Sequence, residues 1–341
     1  MVRKSLLVVM LLAIAAPVAA QKAVQTEWTS RRPDGQAPLG VVNGELLNKG
    51  EVRFSYTFTQ MDYKGLWANG DSIPLDQAFD FYAQAPLTLR SQTHEVGVAF
   101  APRSDLTITA RIPYTQRERE QLTSDGVFFY VTDSKELGDL QVSALYSAFN
   151  QGNYRAHVQL GASVPTGKYE AKDETPFSSP GKQALSYDMR AGSGTVAVLP
   201  GLTMLAQNDL ASVGAQVRAT IYVGKNGAKF SPGDVFDYNA WAAYKINDYF
   251  SVSGRVHYQR WGAIKGADPA LDPTFDPGND AYWLKGRRMD IPVGLNIYLP
   301  QGMHLGGNRL SVEYIYPVSQ NYDGLQLGAD WGLSIGWQAI F

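Results

Sequence analysis

The sequence predicts an all-β fold: a 12-stranded antiparallel transmembrane β-barrel with short periplasmic turns and long extracellular loops. Three observations carry this expectation. Twelve stretches after residue 50 alternate apolar and polar residues, the period of a strand whose successive side chains face opposite sides. The connections between them alternate long and short, and a bacterial barrel with both termini in the periplasm needs an even strand count with its short turns on one side. Finally, residues 325–341 place Leu325, Leu327, Ala329, Trp331, Leu333, Ile335, Trp337, Ala339 and Phe341 on one face, opposite Gln326, Gly328, Asp330, Gly332, Ser334, Gly336 and Gln338. Only Ile340 breaks the rule. A soluble strand averages about 5–6 residues, whereas a membrane strand takes about 9–11 plus whatever projects past the lipid.

Arg3 and Lys4 precede an apolar run over 6–16, and Val18-Ala19-Ala20 offers small residues before Gln21. This is the layout of a secretory signal peptide over 1–20, with cleavage expected after Ala20. Its apolar core is short for a spanning helix. The chain has no Cys, which excludes disulfides, thiolate metal sites and a lipidated cysteine. Losing the two charges of Arg3 and Lys4 takes the formal net charge from −2 to −4. No nucleic-acid footprint is present. Residues 21–49 are irregular, with turn signals at Pro33-Asp34-Gly35 and Pro38-Leu39-Gly40; they read as a periplasmic leader or as a plug folded into the lumen. Residues 50–341 form the barrel.

The expected strands fall near 52–58, 91–101, 106–114, 140–146, 154–164, 187–206, 213–223, 236–244, 250–258, 289–299, 310–316 and 325–341. Short turns at Pro102-Arg103-Ser104, Asn150-Gln151-Gly152, Asn208-Asp209 and Asn247-Asp248 separate long connections such as 62–90, 118–137, 167–186 and 262–285. Proline cannot donate to a ladder, and Pro113, Pro165, Pro292 and Pro317 are expected at the outer strand ends. Phe100, Phe149, Tyr154, Tyr249, Phe250 and Phe341 cluster on the turn side as an interfacial girdle would, with Tyr114, Tyr187 and Tyr316 near the other rim. Ending on Phe341 resembles the closing strand of outer-membrane barrels, where the terminal aromatic belongs to the signal read by the assembly machinery.

If the apolar residues face lipid, the alternate set faces a lumen richer in Arg than in acids. Arg53, Arg111, Arg155, His157, Arg218, Arg255, His257, Arg288, Asp290 and Glu313 are the candidate lining of a solute path. Guanidinium groups there suit the polar or anionic part of a solute, and they equally suit a structural network with carboxylates across the barrel. Trp67, Phe79, Trp261 and Trp283, assigned to the extracellular loops, could capture an apolar solute or pack the loops on the rim. Asp268, Asp272, Asp276 and Asp280 resemble calcium ligands, but three of them precede Pro, ordinary turn chemistry; no metal or cofactor is assigned.

Catalytic patterns are weak. No Gly-x-Ser-x-Gly elbow or His-Glu-x-x-His helix occurs, and His157 is followed by Val158-Gln159 rather than by a Ser two residues on. Gly192-Ser193-Gly194-Thr195 has no following Lys and sits among alternating residues, where small side chains allow a kink or close approach. That motif, with Leu199-Pro200-Gly201-Leu202, Asn239-Ala240-Trp241, Gln259-Arg260-Trp261-Gly262 and Gly266-Ala267-Asp268-Pro269, resembles a bacterial barrel family named for phenol meta-pathway degradation. Its members are labelled outer-membrane transporters. The resemblance implies passage of small organic compounds, aromatic ones among them, and assigns no catalytic residues.

The expected protein is thus a Gram-negative outer-membrane channel for small organic solutes, with outer-membrane lipid and the assembly machinery as partners. A barrel enzyme acting on lipid or peptide, and a non-transporting structural or adhesive barrel, are the alternatives.

Overall fold

The computed structural model describes residues 28–178, 180–300, 302–303 and 305–341. The expected signal peptide and His304 lie outside the described residues. Twelve strands form one closed antiparallel sheet: β1 (Val52–Ala68), β2 (Gln84–Arg103), β3 (Leu106–Thr123), β4 (Leu140–Gln151, with an upper piece Phe129–Leu137), β5 (Tyr154–Val164), β6 (Val196–Val198 and Gly201–Gln207), β7 (Ala211–Val223), β8 (Val235–Lys245), β9 (Phe250–Trp261), β10 (Gly286–Tyr298), β11 (Asn308–Tyr322) and β12 (Gln326–Ile340). Each pairs with its sequence neighbours. β1 closes the ring against β12, from Arg53↔Ile340 to Trp67↔Gln326. At this seam the Phe341 and Val52 backbones exchange two hydrogen bonds.

Burial is inverted relative to a soluble sandwich. Val98, Val142, Val217, Val252, Val293 and Val312 are exposed, while Thr109, Ser143, His157, Gln216, Ser253 and Glu313 are buried. Only a wall with lipid outside and polar contents inside stabilises that pattern. The turn-side aromatics Phe100, Phe149, Tyr154, Tyr249, Phe250 and Phe341 are all exposed, at the level where amphipathic rings favour the interface.

The structure corrects several boundaries. β1, β2 and β3 run to 17, 20 and 18 residues, so much of the expected loops 62–90 and 118–137 is strand. Trp67 therefore lies on β1 and Trp261 ends β9, rather than on loops. Beyond the lipid both faces of a strand meet polar surroundings, and a stretch such as Thr115-Gln116-Arg117-Glu118-Arg119-Glu120-Gln121 loses the apolar alternation that marks strands. Residues 187–195 are not strand: Tyr187–Met189 form a 3-10 turn, and Tyr187 is buried rather than on the rim.

Three of the four prolines sit inside strands, each where the ladder lapses. Pro113 on β3 faces the break at Gly138 and Asp139 between the two pieces of β4. Pro292 falls in the gap between the Gly254↔Val293 and His257↔Asp290 pairs. Pro317 meets Asp290 at a register shift. A residue without an N–H costs little where no partner waits.

β12 also departs from simple alternation. The β1–β12 register slips between Asp62↔Trp331 and Tyr63↔Ala329, so Asp330 is a bulge residue. It is exposed, while Leu327 and Ala329 are buried. The extra residue reverses the facing of the strand above it.

Candidate functional site: a lumen filled from both ends

The periplasmic half of the lumen holds residues 28–49, which join no β-ladder. Trp28 and Val41 pack with Leu205 and Trp241; Leu47 packs with Ala99, Ala101 and Ile340, which accounts for the residue that breaks the alternation at the periplasmic end of β12. Polar contacts come from the wall. The Arg309 guanidinium donates to the Pro33 and Arg32 carbonyls, each at 2.6 Å. His157 Nε2 lies 2.9 Å from the Asn43 carbonyl, which only accepts, so this nitrogen carries the proton. Glu313 accepts from the Gly40 N–H at 3.0 Å and pairs with Arg255 at 3.3 Å, while Arg255 also donates to Asn239 at 2.8 Å. Arg53 pairs with Glu45. Arg155 donates to the Trp28 carbonyl and sits 5.6 Å above its ring. A Cβ on Gly40 would stand 2.0 Å from Arg255 Nη2 and 2.9 Å from Glu313 Oε2, so any side chain there would push this pair aside.

At mid-height, Arg111 donates to Gln141 at 2.6 Å and pairs with Glu95 at 3.2 Å. His257 lies between Asp237 at 3.1 Å and Asp290 at 3.3 Å, and Arg288 pairs with Asp290 at 3.0 Å. Arg218 shares the field of Arg111, Glu95 and Asp237 and makes no ion pair among the described residues.

The extracellular half is occupied by loops. Arg119, on β3, is 2% exposed and donates to Asp276 and Ser186, each at 2.7 Å. Asp276 also accepts from Gln84 and from the Gly278 N–H. Arg190 pairs with Asp268 at 2.7 Å and stacks within 5.1 and 5.3 Å of the Tyr187 and Phe230 rings. Burial pushes the Tyr187 phenol above its ordinary range, so a neutral hydroxyl accepts the Asp268 N–H at 2.8 Å. Asp139, in the break of β4, accepts from the Ser193 and Gly167 N–H groups at 3.0 Å. The Gly192-Ser193-Gly194-Thr195 motif is thus a latch holding a loop inside the barrel: a Cβ on Gly192 would meet the Gly167 backbone at 2.4 Å, and Gly194 has φ +66°. Asp272 and Asp280 cap their own turns through Thr274 and Tyr282, so the four loop carboxylates point to four separate partners.

The four aromatics do not form one surface. Trp67 lies against Gly328, Phe79 joins a buried cluster with Leu66, Leu89, Met189 and Leu327, Trp261 stacks obliquely on Tyr322 at 5.6 Å, and Trp283 meets Tyr282 edge-on at the surface.

Two cavities border the loops of the extracellular filling. One, about 240 Å³, is lined by Tyr63, Leu89, Arg117, Trp261, Arg288 and Leu327 among others. A second, about 310 Å³, is lined by Arg117, Asp139, Tyr187, Arg190, Ser193 and Tyr222 among others. Arg117 borders both. Arg117, Arg119 and Arg309 were absent from the expected lining, although period-two counting from Arg111 reaches the first two and from Glu313 the third.

Among solved structures, the fold is similar to the COG4313 outer membrane channel from Pseudomonas putida F1, with TM-score 0.61 over 89% of this chain and 100% of that one at 12% identity. A Pseudomonas aeruginosa FadL homologue aligns over 93% of this chain and 98% of its own, with TM-score 0.42 and 10% identity. No curated protein sequence matches the chain. The 12-stranded, porin-like barrel is of the outer-membrane kind. The model of the family described as "Putative MetA-pathway of phenol degradation" matches residues 68–287, more than half of the chain, and the protein belongs to that family.

Proposed function

We propose that the protein is a channel for small organic solutes, gated on the periplasmic side by residues 28–49. The observation that carries this reading is how that segment is held. It fills the lower lumen yet contributes no strand to the sheet, so it can leave without opening a ladder of the wall. Its anchors Arg255, Arg309, Glu313 and His157 would then face the cleared lumen beside Arg53 and Arg155. Arg111, Arg218, His257, Arg288 and Asp290 would form the middle of the path. The cavities above, with apolar and cationic walls, fit compounds carrying both characters. Phe341 is the expected assembly signal, and residues 1–20 the expected export signal.

Planar-bilayer conductance and liposome swelling test the reading. The full chain should conduct weakly or intermittently, and a variant lacking residues 28–44 should conduct steadily. Equal conductance of the two sinks the gate, and silence from both sinks the channel.

One contact favours a hydrolytic reading: His257 between Asp237 and Asp290. Both ring nitrogens face carboxylates, and His257 lines neither cavity, so it is better placed to cross-brace β8, β9 and β10 than to activate water. Cleavage of a peptide or lipid substrate, abolished by His257→Gln, would reverse this judgement.

A further inference from the structure

The geometry points to a binding site for a small organic monoanion with an apolar ring at Arg117, where the two lumenal cavities meet. This deepens the channel reading and rests on it. Of the three guanidinium groups lining the 240 Å³ cavity, two are committed: Arg119 to Asp276 at 2.7 Å and Asp188 at 3.4 Å, and Arg288 to Asp290 at 3.0 Å. Arg117 makes no ion pair among the described residues. Its one hydrogen bond to protein uses Nη1, on the Arg190 carbonyl, which leaves most of its fork for a ligand. A guanidinium that keeps donors facing a cavity binds a planar carboxylate well.

The walls select the rest of the ligand. The same lining carries Leu89, paired across the ladder with Arg119, together with Leu284, Leu327 and the Trp261–Tyr322 pair. Gly286 permits that pair: a Cβ there would stand 2.8 Å from Tyr322 and 3.1 Å from Trp261. An aromatic or alicyclic body stacks on such rings. Asp188 lines the same cavity and acts electrostatically on Arg117, so a dianion such as a phosphate monoester is repelled while a monoanion is tolerated. A cavity of about 240 Å³ falls below the roughly 300–1,000 Å³ of drug-sized pockets, which fits a single ring.

Isothermal titration of the full chain in detergent with benzoate, benzyl alcohol and acetate tests the site. Benzoate should bind at least about tenfold tighter than either the uncharged ring or the ringless anion. Arg117→Gln should weaken benzoate by about tenfold or more, the scale of a lost charge-assisted contact, and leave benzyl alcohol unchanged. Arg117→Lys should fall between. Equal affinities for benzoate and benzyl alcohol in the wild type overturn the site whether or not any variant folds, as does a fully folded Arg117→Gln that binds benzoate normally. Conductance in potassium chloride without ligand is recorded in parallel. If it persists while benzoate fails to bind, the site is lost and the channel stands; if it is absent while benzoate binds, the channel is lost instead.

Discussion

Arg309 on β11 donates to the carbonyl oxygen of Pro33 at 2.6 Å, pinning the start of the lumenal segment to a wall strand near the far end of the chain. Arg309→Ala should loosen the segment by about 1.5–3 kcal/mol, the range for hydrogen bonds to charged groups. Trypsin cleavage after Arg31, the bond before Pro33 being resistant, should accelerate at least about tenfold in the folded barrel. An unchanged rate would show that packing of Trp28 and Val41 holds the segment without Arg309.

The Arg255–Glu313 pair is buried on both sides, with side chains 5% and 2% exposed. Arg255→Met leaves a carboxylate stranded and should cost about 3–5 kcal/mol, whereas replacing both partners with apolar residues is often nearly neutral. Urea unfolding in vesicles should therefore show Arg255→Met/Glu313→Leu closer to wild type than Arg255→Met alone. The double variant should still seat its segment poorly, because the Gly40 N–H loses its acceptor. A double variant less stable than the single would reject the account.

Gly336 offers a steric handle on the same segment. A Cβ there would stand 2.2 Å from Leu39 Cδ1, so Gly336→Val must displace Leu39 or strain the wall, a misfit worth about 1–3 kcal/mol. Displacement predicts more frequent open events in bilayers with barrel melting little altered. Lower melting with unchanged conductance would mean that the wall yields instead.

On the extracellular side, Asp139→Ala removes the acceptor shared by Ser193 and Gly167. The buried Ser193 N–H then lacks a partner, costing about 1–3 kcal/mol, and the half-buried Gly167 N–H loses its acceptor too. Proteinase K applied to whole cells should cut within 187–195 in the variant and spare the wild type. Resistance in both would place the loop's stability in the Arg190–Asp268 pair.

The strand order, strand count and orientation were legible because lipid imposes strict alternation on the spanning part of each strand: Val213 to Val223 and Leu310 to Tyr316 show it plainly. Alternation fades at Thr115 to Gln121, where both faces meet polar groups, so strand ends were misplaced. Alternation puts Asp330 on the polar face of the last strand; a bulge turns it outward, and no local residue pattern marks that slip. Within the lumen, Arg255 with Glu313 and Arg288 with Asp290 came from the inward-facing set. The partners of Arg53, Arg155 and His157 did not, because an irregular segment carries no period from which its contacts could be read.

Gly40 and Glu313 lie 273 positions apart, and Pro33 and Arg309 lie 276 apart. The segment precedes every wall strand in the chain, yet it can seat only after the last strands exist, since its anchors on β11 are among the final pieces of wall. Such long-range contacts carry a large closure entropy and form late. Seating therefore reports that the ring is complete: a barrel missing β11 has neither Glu313 nor Arg309 to receive its own beginning.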